Sequence, residues 1–304
     1  MTTQKYVKLA PTGDNMPLLG FGTWKVSQDE ASDTVYNAIK CGYRLIDGAA
    51  MYNNEQGVGA GIKRAIDEGI ITRKDLFVTS KLANTEHAAK DVEPACRKTL
   101  SDLGLEYLDL YLVHWPFSRA FGADPSTFVD IPVKETWTAM EDLVRKGLVR
   151  NIGVSNFTVT KLKSLLEYAT VKPAVNQVEL HLKFQQEPLV KYCRDNNIVV
   201  NAYRPLCFVV NGENLIDNGT VKKVAAKYGK KPSQVILAWG IQKEYVVIPK
   251  SAKVERMKDN FGSLGFELAE EDMAELAKLD EHLRTCTASD IFGTMTEGEF
   301  WDNE

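Results

Sequence analysis

The chain has 304 residues, 44% hydrophobic and 26% charged, with a formal net charge of -4. That charge argues against nucleic acid as the main partner, and no stretch nears the roughly 18 continuous apolar residues of a membrane span. Five scattered cysteines, Cys41, Cys96, Cys193, Cys207 and Cys286, show no CxxC pair and no His/Cys metal spacing; they read as reduced thiols in a cytoplasmic protein that holds no metal.

Residues 5 to 20 alternate weakly and break at Pro11-Thr-Gly-Asp-Asn15, which predicts an N-terminal β-hairpin. A short strand follows in Gly20-Phe-Gly-Thr-Trp24. A helix over 29–40 carries Ala31, Val35, Ala38 and Ile39 at helical spacing. Then come a strand over 43–47, a helix over 54–68 stopped by Gly69, a strand over 76–81, a helix over 88–103 stopped by Gly104, and a strand over 108–114. A polar loop, 117–131, leads to a helix over 133–146. In the second half, strands at 149–155, 174–179, 198–203 and 245–249 alternate with helices at 158–168, 186–195, 217–228, 232–242 and 253–261. A last amphipathic helix, 270–283, precedes a polar tail with aromatics.

Strands of four to seven largely apolar residues alternating with helices demand a parallel sheet covered by helices. Length alone suggests about two domains. Eight βα units with no linker instead predict one domain, 1–304, closed as a (β/α)8 TIM-type barrel. The glycine-rich run Gly57-Val-Gly59-Ala-Gly61 follows no strand and lacks the dinucleotide spacing, so it reads as close helix packing.

In such a barrel the C-terminal strand ends face the site. Here they read Thr23-Trp24, Asp47, Lys81, His114-Trp115, Ser155-Asn156, Gln177, Tyr203-Arg204 and Lys250-Ser251. A structural barrel has little reason to end every strand in polar groups. Tyr52 lies five residues beyond Asp47. A free phenol titrates near 10; a nearby ammonium favours the phenolate, and a carboxylate holds the ammonium. Asp47, Lys81 and Tyr52 therefore predict a tuned proton donor, with His114 adding a hydrogen bond to a carbonyl oxygen. Each residue alone has a bland reading, as a buried ion pair or a satisfied core histidine. Proton transfer leaves the hydride unsupplied, so a cofactor is implied. Its phosphate site is expected after the last strand, where Lys250, Ser251, Lys253 and Arg256 surround a helix N-terminus.

These motifs resemble the aldo-keto reductase superfamily over nearly the whole chain, from about residue 8 to 279. The pieces that carry the likeness are Gly20-Phe-Gly-Thr-Trp24, Arg44-Leu-Ile-Asp47 with Tyr52-Asn-Asn-Glu55, Ser80-Lys81-Leu, Leu112-Val-His114-Trp-Pro116, Ile152-Gly-Val-Ser-Asn156-Phe, Asn176-Gln177 and Ile248-Pro-Lys-Ser251. The resemblance implies a TIM-type barrel using NADPH, with NADH possible, to reduce an aldehyde, ketone, open-chain sugar or uronate. It implies Tyr52 as general acid, Lys81 and Asp47 as its tuners, and His114 as the group orienting the carbonyl. Ser155, Asn156 and Gln177 would hold the nicotinamide carboxamide and Tyr203 would stack on its ring. Lys250, Ser251 and Arg256 would bind the 2′-phosphate, with Lys253 adding charge, and Asp259 and Asn260 would take the adenine. Thr23, Trp24, Arg204 and Leu206 complete the expected cofactor set. Trp24, Trp115, Phe117 and the tail residues Phe300 and Trp301 are expected to wall the substrate pocket, with the C-terminal tail over the site.

Two departures stand out. Ala83 replaces the aromatic usual after Ser-Lys-Leu, which should widen the pocket. Arg204 replaces the usual serine after the stacking tyrosine; it would grip the cofactor pyrophosphate or an anionic substrate. The expected partner is a small carbonyl compound, and a monomer or homodimer is expected. A non-catalytic, cofactor-binding regulatory subunit on the same fold is the alternative, and the intact tetrad argues against it.

Overall fold

The computed structural model describes residues 3–120, 127–207, 214–287 and 296–304. An antiparallel hairpin, β1 (Tyr6–Lys8) with β2 (Asn15–Pro17), opens the chain as expected. Eight parallel strands then follow one another around a single sheet: β3 (Phe21–Gly22), β4 (Leu45–Asp47), β5 (Phe77–Leu82), β6 (Leu108–Val113), β9 (Val149–Ser155), β10 (Val175–Glu179), β11 (Val199–Tyr203) and β12 (Val246–Val247). The sheet closes on itself. Leu19 bridges Val247 in parallel, the Val247 amide donates to Leu18 O at 2.8 Å, and those of Gly20 and Gly22 donate to Val247 O and Pro249 O at 2.9 and 3.1 Å. A closed sheet leaves no edge to template aggregation.

The loop after β6 contains a small sheet, β7 (Ser118–Arg119) with β8 (Phe128–Val129); residues 121–126 of that loop lie outside the described region. The helices are α1 (Gln28–Lys40), α2 (Glu55–Asp67), α3 (Ala89–Leu103), α4 (Val133–Arg145), α5 (Val159–Leu166), α6 (Glu187–Asp195), α7 (Gly219–Tyr228), α8 (Pro232–Gln242), α9 (Val254–Phe261) and α10 (Glu270–Ala277), with a terminal helix at Glu297–Trp301. α10 stops six residues short of its expected end at 283. The chain there turns to pair with another segment: the amides of Glu281 and Leu283 donate to Lys183 O at 3.1 and 3.0 Å, and His282 adopts φ 51°.

The glycine run is helix packing, as its sequence suggested. A β-carbon on Gly57, Gly59 or Gly61 would meet the carbonyl oxygen of Gln28, Leu103 or Ser32 at 2.6, 2.4 or 2.5 Å. Larger residues would push α2 away from α1 and α3. Apolar side chains fill the barrel and the helix–sheet layer. A second cluster, Trp115, Cys286, Phe300 and Trp301, sits apart from it, with Phe117, Phe128 and Tyr203 packed against it.

Candidate active site

The end of β4 and the turn after it set the centre. Asp47 is the last residue of β4, and Ala50–Tyr52 make one 3-10 turn that delivers the phenol. Asn53 ends that turn in the left-handed region at φ 54°, which asparagine tolerates better than most residues. Asn54 is fully buried and its amide donates to Thr23 O at 3.0 Å and Val26 O at 2.8 Å. Glu55 is buried beneath it, accepting from Ser80 Oγ at 2.6 Å and Thr99 Oγ1 at 3.0 Å. The loop bearing Tyr52 is thus pinned from below by two side chains to which the sequence reading assigned no role. Their motif, Tyr52-Asn-Asn-Glu55, was the available signal.

Residues at three further strands, β5, β6 and β10, converge on Asp47 and this loop. Lys81, 0% exposed, donates from Nζ to Asp47 Oδ1 at 2.5 Å, to Gly48 O at 2.7 Å and to the Tyr52 hydroxyl at 3.3 Å. Gln177 Nε2 donates to Asp47 Oδ2 at 2.6 Å. The imidazole of His114 meets the Tyr52 ring edge-on, with centroids 5.8 Å apart. Its Nδ1 is buried with no partner.

Burial works against the Lys81 ammonium, but Asp47 and Tyr52 outweigh it and hold the group above its usual value, so it stays charged. Burial also dominates at Tyr52 and raises the phenol, against the downward pull of Lys81. This corrects the expectation that the ammonium would bring Tyr52 down towards neutrality. Charge can be read from sequence; desolvation cannot. Tyr52 remains a protonated phenol with a cation ready to stabilise the phenolate once the proton leaves. Burial, then Lys81 and His87, holds His114 well below its ordinary 6.5, so the ring is neutral and can donate a hydrogen bond without carrying charge.

His87 lies nearby, buried, with Nδ1 at 2.9 Å from Ser118 Oγ, and burial pushes it down to about 4 from 6.5. A basic group lowered on folding contributes stability that is present above its unfolded value and lost as pH falls through its folded value. Acid should therefore destabilise the protein between about pH 6.5 and 4. His87→Gln should flatten the melting temperature across that window relative to wild type. Parallel curves for the two proteins would show that His87 does not titrate on unfolding.

The residues expected around a nicotinamide form one hydrogen-bonded chain. Ser155 Oγ donates to Gln177 O at 2.8 Å. Asn156 Nδ2 donates to His114 O at 3.0 Å and Ser155 Oγ at 3.1 Å, and its Oδ1 accepts from the Tyr203 hydroxyl at 2.8 Å. Asn156 itself sits at φ 64°. Thr23 is buried and donates to Asp47 O at 3.0 Å. Trp24 is 43% exposed, with the Lys25 ammonium 4.3 Å and the Arg204 guanidinium 5.3 Å from its ring centre. Leu206 is half-buried against the main core.

Arg204, at φ 51°, spends Nη1 on Thr285 O at 2.7 Å and Thr285 Oγ1 at 3.0 Å. It shares the tail with buried Glu179, which accepts from the amides of Thr285 at 3.0 Å and Cys286 at 2.8 Å and from Thr285 Oγ1. Glu179 was not singled out from sequence. It also faces His181 Nε2 at 3.0 Å, but the tail partners that use both its oxygens lie over a hundred residues downstream, beyond any local pattern.

At the far end of β12, Ser251 Oγ accepts from the Lys253 amide at 3.1 Å and shapes the entry to α9. No side chain caps α9. Lys250 is half-buried, Lys253 and Arg256 are exposed, and none of the three pairs with a carboxylate among the described residues. Free first-turn amides ringed by unpaired cations suit a phosphate. Asp259 is instead tied to Lys231 at 2.5 Å, and Asn260 is 5% exposed. The Gly22–Pro249 hydrogen bond links this segment to the strand before Trp24.

The aromatic wall is built from two directions. Trp115 lies near-parallel to His114 at 6.0 Å and touches Phe300 and Trp301 at 5.7 and 6.3 Å. Phe117 meets Phe300 at 4.8 Å. Phe300 is 0% exposed and Trp301 4%, so the tail pair backs Trp115 more than it faces open space. Ala83 is half-buried beside the chain that follows β5, and Met51, adjoining Tyr52, is 41% exposed.

A model of the Aldo/keto reductase family matches residues 18–281. The chain is 46% identical over 297 residues to an NAD(P)H-dependent D-xylose reductase of Scheffersomyces stipitis, covering 90% of this chain and 93% of that one. It is 44% identical over 302 residues to the NAD(P)H-dependent D-xylose reductase of Candida tenuis, covering 91% and 94%. Among solved structures it is similar to a Bombyx mori aldo-keto reductase in complex with NADP, with a TM-score of 0.91, 35% identity and coverage of 98% and 100%. A second, complexed with NADPH, gives a TM-score of 0.91 at 36% identity, covering 99% and 95%.

Proposed function

The chain belongs to the aldo/keto reductase family, and from that premise we propose that it is an NADPH-dependent reductase of aldehydes, with open-chain aldoses as the leading substrate class. The observation that carries this reading is the Lys81 ammonium held at once by Asp47 at 2.5 Å and by the Tyr52 hydroxyl at 3.3 Å, beside a neutral His114. The likeness to proteins named D-xylose reductases over nine-tenths of the chain supports the substrate class.

A bound reduced nicotinamide supplies the hydride. The chain's own residues do the rest. His114 donates a hydrogen bond to the carbonyl oxygen and sets its position. Tyr52 passes its proton to that oxygen as negative charge develops there. Lys81, kept charged by Asp47, stabilises the phenolate left behind. Gln177 holds the second oxygen of Asp47 and so fixes the carboxylate. Ser155, Asn156, Gln177 and Tyr203 would seat the nicotinamide, and Arg204 would offer the pyrophosphate the donors that Thr285 leaves free. Arg204→Ser separates that role from contact with an anionic substrate: a weaker NADPH dissociation constant is expected, and an unchanged one with a raised uronate KM would transfer the residue to the substrate.

Turnover of NADPH with xylose, glyceraldehyde, a uronate and an aromatic aldehyde tests the reading. Oxidation of NADPH that depends on an added aldehyde is expected. A protein that binds NADPH yet oxidises it with none of the four would instead be a cofactor-binding module.

Lys250, Ser251, Lys253 and Arg256 would hold the 2′-phosphate in this reading. Arg256→Ala should raise the NADPH dissociation constant about tenfold or more, the worth of one charge-assisted contact, and leave that of NADH almost unchanged. Equal weakening of both cofactors would place Arg256 away from the 2′-phosphate.

A further inference from the structure

We propose that Lys161, on the first turn of α5, is a positioning residue that holds the aromatic wall of the site and so sets the affinity for bulky carbonyl substrates. The proposal rests on the reductase reading of the site. Nothing in the reaction itself calls on α5, yet this helix carries an unusually complete dock for the end of the chain.

Lys161 Nζ makes three different contacts. It donates to Phe300 O at 3.0 Å, pairs with Asp302 at 2.5 Å, and lies 5.3 Å from the centre of the Phe117 ring. One ammonium therefore ties together the loop after β6 and the terminal helix, the two segments that supply the wall. The pair is only 16% and 25% exposed at its side chains, where solvent screens it less than an ordinary surface ion pair.

The helix start reinforces the dock. Thr158 is the N-cap of α5, and its Oγ1 also hydrogen-bonds Asp302. The Glu304 carboxylate accepts the amides of Val159 and Thr160 at 2.7 and 3.0 Å and Thr160 Oγ1 at 2.8 Å. The Glu304 carboxylate thus satisfies two amides of a helix N-terminus whose dipole favours it, while Asp302 sits beside that end on the Thr158 hydroxyl and the Lys161 ammonium. Successive left-handed residues, Asp302 at φ 56° and Asn303 at φ 59°, fold the chain back to make this possible.

The consequence travels by contact. Phe300 and Trp301 immediately precede Asp302, pack on Trp115, and Trp115 lies along His114. Releasing the dock loosens the backing of Trp115 without touching Tyr52, Lys81 or the residues assigned to cofactor. A small aldehyde held by Tyr52 and His114 should not sense the change; a substrate that leans on the wall should.

The test uses the full chain saturated with NADPH and compares wild type, Lys161→Met and Lys161→Arg. Iodide quenching of tryptophan fluorescence reads the dock without turnover, since Trp115 and Trp301 are buried in wild type. Lys161→Met should expose them to quencher and raise KM for an aromatic aldehyde about five- to tenfold, the loss of roughly one buried ionic contact. Its kcat, its KM for glyceraldehyde and its NADPH dissociation constant should each stay within about twofold of wild type. Lys161→Arg should restore both readouts. Unchanged quenching, or equal KM changes for large and small substrates, would overturn the proposal. If Lys161→Met does not fold, Glu304→Gln, which weakens only the rim of the dock, should show a smaller shift in the same two readouts, and no shift overturns it. A wild type without reductase activity would sink the functional reading, and the quenching result would still decide whether Lys161 holds the wall.

Discussion

Tyr52→Phe is expected to lower kcat for aldehyde reduction by about 10²- to 10⁴-fold, the range over which a positioned proton donor accelerates a reaction. The substitution removes one oxygen. The ring keeps its edge contact with His114, and the loop keeps its anchors at Asn54 and Glu55. The NADPH dissociation constant should therefore stay near that of wild type, and so should the melting temperature. Because burial keeps the phenol above its ordinary value, wild-type reduction should be flat through neutral pH and fall only in strongly alkaline solution, once Tyr52 loses its proton. Retained kcat in Tyr52→Phe would assign proton delivery to another group, with His114 the next candidate.

Lys81→Met should affect both stability and rate. The ammonium is fully buried, and breaking a buried ion pair by deleting one partner costs about 3–5 kcal/mol, because the other charge is left without compensation. Gln177 still donates to Asp47 at 2.6 Å, which argues for the lower end of that range. In catalysis the loss is that of the cation facing the nascent phenolate. The downward pull on Tyr52 disappears while burial remains, so the phenol becomes a poorer acid and kcat should fall at all pH values at which the protein folds. A double substitution, Asp47→Asn with Lys81→Met, removes both charges and should recover part of the stability and none of the rate. Full stability in the single Lys81 variant would contradict the buried pair seen here. Unchanged turnover would contradict its role.

The barrel was legible because its signal is local. Eight apolar runs, each followed by a helix, recur along the chain, and the polar residue closing each run marks the end that faces the site. Asp47, Lys81, His114 and Tyr203 could be picked out that way, at the ends of β4, β5, β6 and β11; Gln177, expected at a strand end too, is instead the middle residue of β10, two before Glu179, and still reaches Asp47 from there. Strand length was less legible. β3 and β12 have two regular residues each, although the apolar runs around them are longer.

What stayed hidden was long-range or collective. Glu179 looks like any polar end to a strand until Thr285 and Cys286 arrive to use both its oxygens. Lys161 reads as a solvated helix residue until Asp302 and Phe300 meet it. Phe300 was expected to line a pocket, yet it is fully buried behind Trp115, since two tryptophans and Phe117 offer it more apolar area than solvent does. The direction of the Tyr52 shift was missed for a related reason: sequence reports which charges surround a group, not how much water the fold removes from it.

Transfer of label from cofactor to product tests the central claim most directly. NADPH carrying deuterium at the reactive nicotinamide carbon is incubated with the protein and an aldose, and the alcohol is analysed by mass spectrometry. The account predicts one deuterium on the former carbonyl carbon, with formation slowed at least about a hundredfold in Tyr52→Phe. Unlabelled alcohol, or labelled alcohol formed at the wild-type rate without the Tyr52 hydroxyl, would contradict it.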